Sequence, residues 1–195
     1  MRVTSILILC ALLGMTTEAT AAPKYLFPIS DCTVKYARAH HDYPATDILG
    51  KKGCKFVAVT SGVIDEIRKV DTYNYKKPTG ETKGGIFVSL VGDDGVRYYG
   101  SHLQKVAAGI DVGVRVEAGT LLGYLGDSGD ARGTAPHVHF GISWPTTANI
   151  WWVRRGELYP WRYLDAWKAG KDLSPANAVK KLLATKGEIP PIPKK

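Results

Sequence analysis

The strongest constraint on the fold is the stretch Thr134-Ala135-Pro136-His137-Val138-His139-Phe140-Gly141-Ile142, whose second half alternates polar and apolar side chains. In an extended strand, side chains two positions apart share a face. The alternation therefore sets His137 and His139 side by side on one surface and turns Val138, Phe140 and Ile142 into apolar packing on the other. Paired imidazoles on stiff backbone suit zinc, which takes neutral histidine nitrogen at ~2.0–2.1 Å. Half-buried histidines on a sheet face need no metal, however, so the rest of the chain has to decide.

Residues 55–60, 63–70 and 85–91 alternate in the same way, with Ser61-Gly62 as a bend. Gly92-Asp93-Asp94-Gly95 is a hairpin signal, and residues 96–103 return as the partner strand with His102 at its end. Residues 33–36 form a further short strand, and residues 113–126, punctuated by turn glycines, lead through the small-residue loop 127–134 to the His-x-His strand. Residues 71–84, rich in lysine, tyrosine, glycine and threonine, read as an exposed loop, either a groove wall or a solvated connector. The tail changes character. Trp161, Leu164 and Trp167 stand at helical spacing between Pro160 and Gly170, and Ser174-Pro175 opens a second helix carrying Val179, Leu182 and Leu183. Residues 189–195 read as a flexible end.

The fold class expected is mainly antiparallel β-sheet with a short C-terminal helical extension. A chain of 195 residues suits one domain, here residues 22–195, with its core at about 31–145 and the extension at about 146–195. Residues 1–21 have the form of a secretory signal: Arg2, an apolar run from Ile6 to Leu13, and the small-residue pattern Ala19-Thr20-Ala21. The apolar run is too short to span a bilayer, so no membrane insertion is expected after cleavage. Removal takes away Arg2 and Glu18 together and leaves the formal charge at +8. Such charge favours an anionic partner. No arginine-aromatic module of a nucleic-acid binder is present, so outside the cytoplasm cell-wall polymers rank first. Cys32 and Cys54 remain after cleavage, and in an oxidising compartment they pair as a disulfide; the alternative is two buried thiols.

A second histidine source is His40-His41-Asp42-Tyr43-Pro44-Ala45-Thr46-Asp47-Ile48, a loop running into a strand. With the His-x-His strand it supplies the mixed nitrogen and oxygen donors of a catalytic zinc site.

These residues resemble the zinc metallopeptidases of the lysostaphin and LytM type, peptidase family M23. The resemblance rests on three blocks in order: His41 with Asp47-Ile48, the tyrosine-rich strand ending in His102-Leu103, and Gly133 to Phe140 as Gly-Thr-x-Pro-His-x-His-Phe. The glycine ladder from Gly119 to Gly126 also follows the family. The resemblance implies a LytM-like β domain in which His41, Asp47 and His139 hold one Zn2+ per chain, and His102 and His137 are the catalytic, non-ligand histidines. It implies an exported endopeptidase of the periplasm, cell wall or medium that hydrolyses peptide bonds in peptidoglycan. The first block departs from the pattern: its loop is two residues longer and has Pro44 in place of a glycine. His40 is therefore the alternative ligand to His41, and His40 or Asp42 the neighbour that orients the site. Gly100 stands where the family often has tyrosine, with Tyr99 as substitute.

Two other functions are compatible with the blocks: a non-catalytic wall-binding activator of another hydrolase, and a zinc carboxypeptidase or amidase acting on peptidoglycan. A full donor set argues against the first, and nothing in the blocks fixes the bond cut. Trp144, Trp151, Trp152 and Trp161 either line a groove or pack the helical extension onto the sheet. No coiled-coil pattern pairs two chains, and a monomer is expected.

Overall fold

The computed structural model describes residues 25–41 and 43–192; the signal-like segment and Asp42 lie outside the described residues. The strands in chain order are β1 (Ile29–Ser30), β2 (Lys35–Tyr36), β3 (Thr46–Leu49), β4 (Lys55–Val57), β5 (Gly62–Arg68), β6 (Phe87–Gly92), β7 (Arg97–Ser101), β8 (Leu103–Val106), β9 (Arg115–Val116), β10 (Leu121–Leu125) and β11 (His137–Ser143). They form a four-stranded sheet, β1-β4-β10-β8, and a seven-stranded sheet, β2-β3-β11-β7-β6-β5-β9. All pairings are antiparallel.

The alternation of the large sheet's strands defines the core. Val138, Phe140 and Ile142 of β11 are fully buried and share one apolar cluster with Ile64 of β5, Leu90 of β6, and Phe56, Leu103 and Leu125 of the small sheet. Burial of each such side chain is worth about 1.5–3 kcal/mol. The approach of the two sheets explains Gly100: a Cβ there would come within 2.2 Å of the Phe56 ring, so no side chain fits.

Two runs are divided between sheets, the first of which reads as one continuous strand. Residues 96–103 split at His102, whose φ of 62° carries the chain from β7 in the large sheet to β8 in the small one. Residues 113–126 split at the turn from Glu117 to Thr120 into β9 and β10. A period-2 pattern continues unchanged across such a kink, so it cannot mark where a strand leaves one sheet for another.

Three helices follow: α1 (Trp151–Arg154), α2 (Trp161–Lys168) and α3 (Ala176–Lys186). The first is absent from the sequence reading, being too short for a periodic signal. α2 buries Leu164 and Trp167, the indole lying 5.7 Å from the Tyr25 ring and 6.4 Å from that of Phe140. Trp144 and Trp152 donate to the carbonyls of Glu188 and Pro190, at 2.9 and 2.8 Å. These two tryptophans pack the extension, and through them the chain is pinned as far as Pro190. Cys32 and Cys54 are joined with Cα atoms 5.9 Å apart, tying β4 to the loop after β1. Among the described residues no helix is long and apolar enough to cross a membrane.

Candidate metal centre

Strand register builds the site. In the β3–β11 ladder Asp47 lies opposite His139, and in the β11–β7 ladder His139 lies opposite Ser101. Directly opposed residues share a face, so a carboxylate and an imidazole from distant parts of the sequence meet on the side away from Phe140. His139 Nδ1 is 3.0 Å from Asp47 Oδ1. His40 arrives from the loop before β3, its Nε2 3.8 Å from Asp47 Oδ2 and its ring 4.8 Å from that of His139. One ligand atom from each of His40, Asp47 and His139 lies within 4.8 Å of the other two. His41 is outside that group, exposed, with its ring 5.1 Å from His40.

The chemistry of the donors suits a cation. His139 Nε2 lies 2.9 Å from the Arg155 main-chain oxygen, which only accepts, so this nitrogen carries the hydrogen. Nδ1 then either is protonated as well or aims a lone pair at the Asp47 carboxylate, and two facing acceptors need a positive ion between them. Two imidazoles and a carboxylate are a donor set that zinc accepts. Burial raises the proton affinity of Asp47, but the His139 hydrogen bond and the charges of His139, His137 and His40 outweigh it and hold the carboxyl well below the usual carboxylate range.

His102 and His137 face the same cleft, their ring centroids 4.9 Å apart, with His102 6.1 Å from His139. Each is oriented by a main-chain carbonyl: His102 Nδ1 donates to Ser128 and His137 Nδ1 to Ala135, both at 2.8 Å. Their Nε2 atoms are thereby left as acceptors. Burial, reinforced by His139 and His137, pushes His102 down to about 3, so it is neutral at physiological pH. Its left-handed backbone costs about 1–3 kcal/mol. Main-chain hydrogen bonds from His102 N to Gly84, from Leu103 N to Ile86 and from Ser128 N to the His102 carbonyl hold it there.

The cleft, of about 530 Å³, is walled by the 71–84 loop, which is fastened to the 127–134 loop. Asp71 accepts from Gly129 N at 2.9 Å and from Arg132 at 2.6 Å, and Asp130 N donates to the Lys83 carbonyl. Gly129 is required here: its φ is +70°, and a Cβ would sit 1.9 Å from the Lys83 oxygen. Tyr99 lines the cleft with its ring 6.2 Å from His139.

Two residues on the cleft wall escape the sequence reading, Tyr43 and Arg155. The Tyr43 hydroxyl is 3.5 Å from His139 Nε2, and burial pushes its pKa up despite Arg155 nearby. Trp151 and Arg155 stand four apart, the spacing of neighbours on a helix face, but a four-residue helix leaves no periodic signal by which the sequence could announce it. A second cleft, of about 540 Å³, lies between α3 and the 144–150 segment and holds no histidine.

No curated protein sequence matches the chain. The catalytic domain of the antimicrobial peptidase lysostaphin from Staphylococcus simulans is similar, at 25% identity with a TM-score of 0.51, over 68% of this chain and 92% of that one. A candidate glycyl-glycine endopeptidase, LytM, of Ruminococcus gnavus superposes at 23% identity with a TM-score of 0.56, over 76% of this chain and 62% of that one. Against a longer form of lysostaphin the identity is 23% and the TM-score 0.54; the match covers 80% of this chain and only 59% of that one. The sequence model of peptidase family M23 matches residues 41–150, a span that contains Asp47, His102, His137 and His139. Over half of the chain follows that model, on a fold shared with lysostaphin; the chain belongs to peptidase family M23.

Proposed function

We propose that the protein is an exported zinc endopeptidase that hydrolyses peptide bonds in bacterial peptidoglycan. The observation that carries the reading is the juxtaposition of two donor sets in one cleft: His40, Asp47 and His139 as a ligand triad, and His102 and His137 as a pair of oriented imidazoles beside it. His40 is the proposed third ligand in preference to His41, because its nitrogen lies among the other two donors while His41 stands on the rim.

When bound, zinc supplies a Lewis acid that lowers the pKa of a water towards ~7 and polarises a carbonyl. The chain's own groups do the remaining work. His102, neutral and anchored to Ser128, accepts a hydrogen bond at Nε2 and so orients the attacking water. His137, more exposed and anchored to Ala135, takes the water's proton at Nε2 and then returns it to the leaving amine. Between these events its imidazolium N–H faces the developing oxyanion. Asp47 and the Arg155 carbonyl fix the His139 ring, and the pinned 71–84 loop keeps the cleft wall in place.

The net charge of +8 favours an anionic wall, and lysostaphin, the similar peptidase, is antimicrobial. Export is supported by the form of residues 1–21 and by the Cys32–Cys54 disulfide, a bond of oxidising compartments. The test is mass spectrometry of fragments released from purified peptidoglycan by the zinc-loaded protein and by His139→Ala. New peptide ends that vanish in the variant establish the activity and name the bond. Release of nothing by either protein from several wall types refutes it.

A further inference from the structure

We propose that Arg155 recognises a substrate carboxylate, so that the peptide taken into this cleft carries a free carboxylate beside the bond to be cut. The inference deepens the peptidase reading above and rests on it for the word substrate.

The residue sits where α1 ends, and its two ends serve the cleft differently. Its main-chain oxygen accepts from the His139 Nε2–H at 2.9 Å, while its side chain lines the same cleft. The guanidinium carbon lies 4.4 Å from the Tyr43 ring centroid and 4.7 Å from that of Trp151. Both rings are held. Tyr43 packs at 4.6 Å against His40 and 5.5 Å against His139, and Trp151 presses so closely on the 71–84 loop that a Cβ on Gly80 would come within 2.1 Å of the indole. Stacking on aromatic faces fixes a guanidinium but leaves its N–H edge able to donate.

Most of the other arginines have an acidic partner. Arg97 pairs with Asp65, Arg154 with Glu66, Arg115 with Asp93 and Arg132 with Asp71. Among the described residues Arg155 forms no ion pair within 4 Å; its Nε is buried without a hydrogen-bond partner there, as are those of Arg97 and Arg154. Lys83, the other basic side chain on this cleft, is already matched to Asp130 at 3.6 Å. A permanently charged fork of five donors, held beside a proposed metal ligand and in no ion pair among the described residues, fits a group that arrives with the ligand. In a peptide that group is a carboxylate. Because the same residue touches His139, the carboxylate is bound within one arginine side chain of the reacting centre.

The experiment compares a synthetic wall stem peptide whose carboxylates are free with the same peptide fully converted to carboxamides. Binding is measured by calorimetry on chelator-treated protein, so that no metal contributes to the preference. Wild type should hold the carboxylate peptide about 10- to 100-fold more tightly, the worth of charged hydrogen bonds. Arg155→Gln should abolish the preference, and Arg155→Lys should keep part of it. Acetate should displace the carboxylate peptide from wild type, a check that needs no variant to fold. Equal affinity of wild type for both peptides, no measurable binding of either, or a preference that survives in folded Arg155→Gln overturns the proposal. Cleavage of the two peptides by zinc-loaded protein is scored separately: failure there refutes the peptidase reading, while the binding preference alone judges Arg155.

Discussion

Replacing His40 and His41 one at a time by alanine separates the two candidate ligands by the zinc affinity each variant retains. His40 Nε2 is 3.8 Å from Asp47 Oδ2 and its side chain is 11% exposed, whereas His41, also on the cleft wall, is exposed and has its ring 5.1 Å from that of His40. Zinc held by four protein ligands is worth roughly 10–16 kcal/mol, so one ligand carries about 3–4 kcal/mol. His40→Ala should therefore weaken zinc roughly 10²- to 10³-fold. His41→Ala removes at most a neighbour that orients a ligand, and the loss should stay near or below the ~10-fold end of such effects. Competition with a chromogenic chelator reads both numbers, with far-ultraviolet circular dichroism showing that each variant is folded. A hundredfold loss in His41→Ala together with a small one in His40→Ala would sink the assignment and return the first ligand to His41.

His102→Asn keeps a residue that tolerates the left-handed backbone but loses the imidazole; turnover of peptidoglycan fragments should fall about 10²- to 10⁴-fold while zinc affinity changes little. The same variant tests the pH dependence of stability in the metal-free protein. His102 is neutral in the native state down to about 3, whereas a histidine in the unfolded chain takes its proton near ~6.5. Between those values the unfolded chain binds the extra proton, so stability drops as pH falls from ~6.5 towards 3. Asp47, held low, is stabilising above its unfolded value of ~3.9 and loses that contribution only as pH falls below it. Urea midpoints should thus flatten between pH 6.5 and 4 in His102→Asn, with the steeper loss below pH 4 retained; an unchanged slope above pH 4 would contradict the burial of a neutral imidazole. Replacing Cys32 and Cys54 together by serine opens a loop with a sequence separation of 22, worth about 3 kcal/mol of chain entropy, and calorimetry should show Tm lower by roughly 6–12 °C.

The parts of the site that can be read from sequence are those that local geometry determines. His137 and His139 fall on one face because the strand period is fixed by the backbone, and Val138 and Phe140 confirm that face by their burial. Asp47 is legible as a donor type, yet its meeting with His139 depends on the β3–β11 register, which joins residues 92 apart in sequence. That register follows from the need of Ile48, Val138 and Phe140 to share one core: a slip of one residue would turn Asp47 inward and expose Ile48. The choice between His40 and His41 has no such support. Both lie in a loop with no repeating period, where one residue's turn decides which imidazole faces the donors. Arg155 is harder still, since its proposed role rests on a short helix, two rings from separate segments and the lack of an ion pair among the described residues, none of them local. The apolar alternation therefore does more than build the core. By locking the register it brings a carboxylate opposite a histidine, and the surrounding loops supply His40, Tyr43 and Arg155 to the same cleft.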